Sequence, residues 1–386
     1  MPANATPAPV PHPEHLPHFM LQEIQQQPTA LQTCLAAYCP EPSTASSASS
    51  LRPCALPAPP VPLAAIHLIA SGTSRHAALV AQFWFEQLAG IPTRVRSGSE
   101  FLAAPFPLTA HTLTLGVTQS GETADTLQAL AQERQRRVEQ AADYQAHLWG
   151  ITNQADSSLA RLVDVVIPTL AGEEMGVAAT KTFTAQLLVF YLLAVSFAAQ
   201  RQLLQGDRVH QTFTALYQLP EQIRQVLQQS ANIQTLAHRL VEAQHCIVLG
   251  RGINRAIALE GALKLKETTY IHAEGYAAGE FMHGPIALLD EKVPVIAIAP
   301  TGTSQAALLA NVQKAKSHGS PVFGIVTADT TATPQDYFDQ HITLPAIAEG
   351  LSPILTVIPL QLLAYHVAVL RGLNVDRPRH IIKTLA

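Results

Sequence analysis

The chain has 386 residues, of which 48% are hydrophobic and 13% charged, and this composition excludes a disordered protein. Its length is enough for two domains of ordinary size. The formal net charge is −4, so no basic excess indicates binding to nucleic acid or to an anionic membrane surface.

The cysteines and the apolar runs indicate a cytoplasmic protein. No CxxC pair occurs among Cys34, Cys39, Cys54 and Cys246, so we expect neither a zinc site nor a disulfide framework, as in a reducing compartment. No apolar run reaches about 18 residues without a polar break, so no membrane span is predicted. The longest run, 187–199, suits a buried helix. Residues 1–19 lack the basic and apolar segments of a secretory signal.

Residues 1–62 are predicted to form three pieces before the first domain. Residues 1–18 are rich in Pro and His, which is typical of a disordered tail. Phe19–Tyr38 has the composition of a helical arm, and we expect Pro28 to break it. The stretch 40–62, rich in Pro, Ser and Ala, is predicted to be a linker.

The next part, 63–206, shows apolar runs that alternate with helical segments. Runs without strict polar alternation, separated by helices, indicate a parallel sheet covered on both faces. A polar loop, 172–181, then precedes a long apolar helix at 182–199. The runs that we assign as strands are 64–70, 111–118, 146–153 and 163–169.

The same order recurs in 244–386, after a helical connector at 207–243. The final apolar helix, 353–372, corresponds to the one at 182–199. The chain is therefore predicted to be an α/β protein with an internal duplication of about 180 residues, two flavodoxin-like halves in tandem. The corresponding runs are 245–250, 293–300, 321–328 and 341–346, with helices at 257–268 and 305–317.

Two hydroxyl-rich turns follow strands of the first half, Gly72-Thr73-Ser74 and Gln119-Ser120-Gly121-Glu122-Thr123. Each opens a helix, whose backbone N–H groups and positive end favour an anion, so neighbouring turns could hold one phosphate. The alternative is that their Ser and Thr side chains only cap the helices. In the second half, the turn at 251–252 lacks hydroxyl groups and the turn at 301–304 has them.

An acidic helix in the second half carries the groups that proton transfer requires. Glu260, Lys264 and Glu267 share one face of this helix, where they could act next to a substrate carbonyl. The alternative is an ordinary surface ion pair between Lys264 and Glu267. The Gly-rich segment that follows is expected to be irregular; its polar candidates are His272, Glu274, Glu280 and His283.

Several segments together resemble the isomerase half of glucosamine-6-phosphate synthase, a pair of SIS (sugar isomerase) domains, and free-standing SIS-family deaminases and isomerases. The matching segments run from about residue 18 to the end. They include HFMLQEIQQQP, TQSGETADT, GVAATKTFTAQL, EGALKLKE, YIHAEGYAAGE, HGPIAL and NVDRPRHIIK.

The resemblance implies a homodimer that shares a site for a hexose or hexosamine 6-phosphate, with no metal and no cofactor. Glu267 would be the base that moves a proton between C1 and C2, and Lys264 would support the enediol charge. His283 of the neighbouring subunit would assist ring opening, and Lys383 would contact the ketose carbonyl or form a Schiff base with it. Phosphate would be bound at the first turn, with Thr73 and Ser74, and at Thr118, Gln119, Ser120 and Thr123; the sugar would be lined by Val177, Ala179 and Ile382.

The chain also departs from the synthase pattern. Ala179 stands where the synthase has a hydroxyl residue, Met282 stands where it has lysine, and the carboxyl end is shorter. Residues 1–3 offer no N-terminal cysteine nucleophile, so we expect no glutamine-hydrolysing half.

These features favour a deaminase that converts glucosamine 6-phosphate to fructose 6-phosphate and ammonia, or the reverse reaction. An isomerase or deglycase acting on another 6-phosphosugar is the close alternative. A non-catalytic phosphosugar sensor is the alternative from another class. The joint presence of Glu267, Lys264, His283 and Lys383 argues against it, because a sensor needs no acid–base groups.

Overall fold

The structure, a computed structural model, describes residues 16–40 and 54–383. Nearly all of the expected disordered tail and most of the expected linker lie outside the described residues. The last residues, 384–386, lie outside them as well.

The first half contains a five-stranded sheet in which every pairing is parallel. Its spatial order is β2-β1-β3-β4-β5, the flavodoxin-like order. The edge strand β2 was not predicted. The strands are β1 (Ala65–Ala70), β2 (Thr93–Arg96), β3 (Thr112–Val117), β4 (His147–Thr152) and β5 (Val165–Pro168).

The second half repeats this arrangement, which confirms the predicted α/β fold and its duplication. Its parallel sheet has the order β7-β6-β8-β9-β10, the same path through space. The strands are β6 (His245–Gly250), β7 (His272–Ala277), β8 (Val295–Ala299), β9 (Val322–Thr327) and β10 (Gln340–Leu344).

Strand β7 corrects the expectation that the Gly-rich segment is irregular. A Cβ atom on Gly275 would lie 2.5 Å from the carbonyl oxygen of Ala258, so this glycine lets the strand approach the preceding helix closely. The glycine that suggested a break is therefore a packing residue inside a strand.

Helices cover both sheets. The arm is α1 (Phe19–Tyr38), and the first half continues with α2 (Gly72–Leu88), α3 (Gly98–Ala103), α4 (Ala124–Arg137), α5 (Ser158–Leu162) and α6 (Lys181–Gln200). The connector consists of α7 (Asp207–Leu227) and α8 (Ser230–Ala237). The second half has α9 (Arg255–Thr269), α10 (Ala278–Phe281), α11 (Gln305–Ser317), α12 (Pro334–Tyr337) and α13 (Ser352–Leu370).

Two of these helices are long and apolar enough to cross a membrane by length and composition alone: Lys181–Gln200 and Glu349–Leu370. Polar residues interrupt both of them, Gln186 in the first and Gln361 in the second, so neither is an unbroken apolar run. In each, 89% of the apolar window is buried inside the protein, and both contribute to one hydrophobic core shared by the two halves. We therefore assign them as core helices.

The arm helix α1 is continuous, which corrects the expected break at Pro28. Proline cannot donate to the carbonyl four residues earlier, that of Ile24. The Gln27 side chain donates to this oxygen instead, with Nε2 at 3.0 Å. The helix packs against α6, α7 and α13, so tertiary contacts also stabilise it.

A disulfide joins Cys39 to Cys54, which corrects the expectation of none. The chain folds back after α1, where the N–H of Ala55 donates to the carbonyl of Tyr38, and the two cysteine Cα atoms lie 4.8 Å apart. Sequence spacing could not reveal a pair that forms only through this reversal. The cysteines therefore no longer argue for a reducing compartment.

Candidate active site

The two hydroxyl-rich turns of the first half lie side by side. They follow β1 and β3, which are neighbouring parallel strands, so both turns are at the same edge of the sheet. Gly72 has a φ of +55°, a left-handed conformation that glycine adopts without strain, at the start of α2.

The serines of these turns have hydroxyl protons available for a ligand. Ser74 Oγ accepts a hydrogen bond from Gln186 Nε2 at 3.0 Å, and Ser120 Oγ accepts one from the N–H of Glu122 at 3.1 Å. Within the described part of the chain no acceptor takes the proton of either serine. Each buried hydroxyl can therefore donate to an anion between the turns.

The capping alternative does not describe these turns. The side chains of Ser71 and Thr123, which occupy the N-cap positions of α2 and α4, accept no capping hydrogen bond. Thr123 Oγ1 instead lies 2.6 Å from Thr118 Oγ1. The N–H groups at both helix starts therefore remain unbound by these side chains, as an anion site requires.

The acidic face of α9 is an ion-pair network in which Lys264 is completely buried. Its Nζ lies 2.7 Å from Glu267 Oε2 and 3.4 Å from Glu260 Oε1. The Lys264 and Glu260 side chains are 0% exposed, whereas that of Glu267 is 20% exposed. The surface-pair alternative is therefore wrong for Lys264, and Glu267 is the carboxylate of this network that solvent reaches.

Thr73 connects the first turn to this network. Its Oγ1 donates to Glu260 Oε1 at 3.0 Å and accepts from Lys264 Nζ at 3.3 Å. His76, one turn further along α2, places Nδ1 2.7 Å from Glu260 Oε2. Because α2 packs against α9, the first hydroxyl-rich turn and the acidic helix are in direct contact.

The charges of the network stabilise one another. Burial alone would raise the pKa of Glu260, but Lys264 and His76 outweigh it and lower that pKa. Burial alone would lower the pKa of Lys264, but the carboxylates of Glu267 and Glu260 raise it. The two carboxylates thus favour the charged form of Lys264 next to Glu267.

The loop before α6 meets the carboxyl-terminal segment. Lys383 Nζ donates to the Gly176 carbonyl at 2.6 Å and to Glu174 Oε2 at 3.1 Å. Val177, half-buried like Ala179, donates its N–H to the carbonyl of Asp376 at 3.2 Å. Glu174 also contributes to the raised pKa of Lys264, so the loop lies near the acidic network.

The remaining predicted site residues are exposed or half-buried in the single chain. Ile382 is 92% exposed, and His283 is exposed in a loop. Gln119 is half-buried, and its carbonyl accepts from the N–H of Asn153 at 3.0 Å. A cavity of about 340 Å³ opens beside Glu267, lined by α9, the start of β7 and the tail at 379–381.

The hydroxyl-rich turn of the second half binds a carboxylate of the protein itself. Glu349 Oε2 accepts from the N–H of Thr303 at 2.8 Å and from its hydroxyl at 3.0 Å, and Oε1 accepts from Ser304 Oγ at 2.9 Å. This turn follows β8, the strand equivalent to β3. These donors of the second-half turn are therefore already bound by a carboxylate, unlike the Ser74 and Ser120 hydroxyl groups of the first half.

Residues that the sequence analysis did not assign to the site are His76, Glu174 and Gln186. Gln186 lies inside the GVAATKTFTAQL segment, and Glu174 lies two residues before it. The resemblance to the SIS family could therefore have identified both residues. His76 lies three residues after Thr73, on the same side of α2. Among the described residues no group of three or more His, Cys, Asp or Glu side chains is arranged to hold a metal ion.

Comparison with known proteins identifies relatives along nearly the whole chain. The chain is 52% identical over 372 residues to a glutamine–fructose-6-phosphate aminotransferase (isomerizing) from Synechocystis, and 42% identical to its counterpart from Acinetobacter baylyi. These alignments cover 95% of this chain but 59% of each relative.

A solved structure, the C-terminal domain of glucosamine-fructose-6-phosphate aminotransferase from Francisella tularensis, is similar with a TM-score of 0.84 and 32% identity. It aligns with 95% of this chain over its whole length. A glucosamine-6-phosphate deaminase from Thermotoga maritima, at 21% identity and a TM-score of 0.69, shares the fold. The SIS-domain model matches residues 64–196 and 239–371, so the chain belongs to the SIS family and carries two SIS domains.

Proposed function

We propose that this chain interconverts fructose 6-phosphate and glucosamine 6-phosphate, with release or uptake of ammonia. The observation that carries the proposal is the contact of Thr73 with both Glu260 and Lys264, since it joins an anion-binding turn to an acid–base helix. A hexosamine phosphate has its phosphate at one end and the reacting carbons, C1 and C2, at the other. A site with this polarity fits such a molecule.

The anion end would be formed by the two turns. Ser74 and Ser120 would donate their free hydroxyl protons to phosphate oxygens, and the uncapped N–H groups of α2 and α4 would supply further donors. Thr118, Thr123, Gln119 and Thr73 would complete this end of the site. The helix N-termini favour negative charge without a lysine or arginine.

Glu267 would carry the proton transfer. After ring opening, assisted by His283, its carboxylate would take the proton from C2 and return it to C1. This step converts the open-chain amino aldose to a C2 imine, and water then adds to the imine to give the ketose and ammonia. Lys264, a buried cation 2.7 Å from Glu267, would stabilise the charge that develops on the C1 oxygen of the enolamine intermediate.

The loop and the tail would hold the sugar. Val177, Ala179 and Ile382 would line it, and Lys383 would reach the ketose carbonyl from its position at Gly176 and Glu174. A lysine amine forms Schiff bases with carbonyl carbons, the chemistry expected at C2. Ala179 offers no hydroxyl group, so a different 6-phosphosugar is the second candidate substrate.

The relatives support the reaction class. Those from Synechocystis and Acinetobacter baylyi are named for fructose 6-phosphate and for isomerisation, and this chain spans 59% of their length. We extend to this chain only the sugar-phosphate step.

We also propose a cytoplasmic homodimer whose partner subunit supplies His283. The proposed domain limits are 63–206 and 244–386, joined by the connector 207–243, and they are supported by the two separate sheets.

The test combines two readouts on purified protein. Incubation with glucosamine 6-phosphate in D₂O is expected to release ammonia and to place deuterium on C1 of the fructose 6-phosphate formed. Glu267→Gln is expected to abolish both signals and to retain binding of the phosphosugar, because the amide keeps the shape but cannot accept the proton.

The outcomes separate the candidate functions. Deuterium exchange without ammonia would favour a plain isomerase. Tight binding of glucosamine 6-phosphate without exchange or ammonia would favour the sensor. Full activity of Glu267→Gln would contradict the assignment of the base.

A further inference from the structure

Glu23, a carboxylate of the arm helix, binds the backbone of the loop before α6, the loop that carries Val177 and Ala179. Glu23 in α1 is 3% exposed and accepts hydrogen bonds from the backbone N–H groups of Met175 and Gly176, the latter at 3.1 Å. A Cβ atom on Gly176 would lie 2.8 Å from Glu23 Oε2, so a side chain at that position would displace the carboxylate.

The same loop residue is also bound from the tail. The Gly176 carbonyl accepts from Lys383 Nζ, and Lys383 is paired with Glu174, whose side chain is 0% exposed. Glu174 accepts from the N–H groups of Thr180 and Thr182 at the start of α6. The arm therefore holds the N–H side of Gly176, and the tail lysine holds its carbonyl side.

The tail in turn binds the start of the arm. Asp376 accepts from the N–H groups of Phe19 and Met20 through its two carboxylate oxygens, at 3.0 and 2.9 Å. Its own carbonyl accepts from the N–H of Val177. The arm thus contacts the loop, the loop contacts the tail, and the tail contacts the arm. These contacts surround the loop segment that carries Val177 and Ala179.

We propose that Glu23 is a positioning residue that sets the affinity for the sugar part of the substrate, by fixing Gly176 and through it Val177 and Lys383. This inference rests on the proposed function. Glu23 lies in the arm and its described hydrogen bonds are to the loop, so its effect is on the sugar end of the site and not on the phosphate turns.

The charge of Glu23 gives this role a pH dependence. Burial, then the neighbouring Glu174, raise the pKa of Glu23 to about 7, against the lowering effect of the two backbone N–H groups and of Lys383. Lys181 is a further charged group near it, and Asp376 binds the N–H of Met20, three residues earlier in α1. As the pH rises through 7, the carboxylate forms and accepts both N–H groups more strongly, so the loop is held more tightly.

The experiment uses two substitutions, one at each partner of the contact between Glu23 and Gly176. Glu23→Gln removes the charge, and Gly176→Ala keeps the charge but forces the groups apart. Cys34→Ala is the matched control, since Cys34 is 0% exposed in the same helix and can only weaken packing. KM for glucosamine 6-phosphate is measured between pH 6 and 8, together with the affinity for inorganic phosphate.

Both variants are expected to raise KM for the phosphosugar about tenfold or more and to leave phosphate affinity unchanged. Wild type is expected to show a fall in KM as the pH rises through 7, and Glu23→Gln is expected to lose this step. A KM equal to that of wild type in both variants, or a rise equal to that of Cys34→Ala, would overturn the inference. A wild type that neither binds nor turns over the phosphosugar overturns the proposed function instead.

Hydrogen–deuterium exchange tests the contact without any substrate. Glu23→Gln is expected to accelerate amide exchange in both 174–177 and 376–383, whereas Cys34→Ala is expected to affect the arm alone. Unchanged exchange in the loop and the tail would overturn the inference whatever the reaction proves to be.

Discussion

Lys264 shows how a single buried charge organises the site. Its ammonium group lies between the carboxylates of Glu260 and Glu267, in contact with the Thr73 hydroxyl and with no exposure to solvent. A charge in such a place is tolerated only because every neighbour compensates it. The spacing of the three α9 residues was evident from the sequence, but the burial was not, because it depends on α2 packing over them.

Removal of this cation is expected to destabilise the protein strongly. Lys264→Ala leaves Glu260 fully buried without its main partner, so we expect a loss of about 3–5 kcal/mol in the free energy of unfolding. Lys266→Ala, two residues along and exposed, is the control and is expected to change it by less than about 0.5 kcal/mol. Urea denaturation measures the free energy of unfolding of both variants. Equal values for Lys264→Ala and Lys266→Ala would contradict the burial of the network.

The serines of the two pseudo-equivalent turns are expected to differ in function. Ser120→Ala removes a free hydroxyl donor at the anion site and is expected to weaken phosphosugar binding by about 1–2 kcal/mol. Ser304→Ala, in the turn already bound to Glu349, is expected to leave that affinity unchanged. Isothermal titration with glucosamine 6-phosphate makes the comparison. Equal losses in the two variants would argue against the assignment of the phosphate turns.

Elements were predictable where the sequence pattern is local. The limits predicted for α1 and α11 match the structure. The errors arose where tertiary contacts decide the outcome: Gln27 compensates for Pro28, Gly275 lets β7 press on α9, and a chain reversal pairs two cysteines. A single sequence gives no direct signal for any of these three contacts.

The disulfide between Cys39 and Cys54 is expected to be present when the protein is purified without reductant. Cys34 and Cys246 are buried, and burial raises the pKa of each to about 12, so neither is reactive in the folded protein. Iodoacetamide is expected to label no cysteine in the native state. After unfolding without reductant it should label Cys34 and Cys246, and after reduction all four. Four labelled thiols without reductant would contradict the bond between Cys39 and Cys54.

At the scale of the whole molecule, the equivalent turns of the two SIS domains differ in what occupies them. The first copy keeps its hydroxyl-rich turns open, whereas the second places Glu349 in the equivalent turn and contributes the acidic helix α9. The duplication was readable from the sequence because strand and helix order repeats. The joining of the two copies at Thr73 was not, because it requires the packing of α2 against α9.

Acid is expected to destabilise the fold partly through buried histidines. Burial, then nearby Arg137 and Arg94, lower the pKa of His67 to about 4, and burial lowers that of His366 similarly. Between pH 6.5 and 4 the unfolded chain binds these protons and the folded chain does not, so stability falls as the pH falls.

His67→Leu isolates this effect, since Glu23, whose pKa is raised, acts in the opposite direction between pH 4.5 and 7. We expect the variant to lose less stability than wild type between pH 6.5 and 4, by up to roughly 3 kcal/mol. Thermal unfolding across this range measures it, and identical pH profiles would contradict the pKa of His67.

The most direct test of the central claim is a crystal structure of the protein with glucosamine 6-phosphate bound. The proposal predicts the phosphate between the turns at 72–74 and 118–123, with C1 and C2 in contact with the carboxylate of Glu267. A ligand whose phosphate lies at these turns but whose C1 and C2 lie away from Glu267, or one bound at another edge of the sheets, would contradict it.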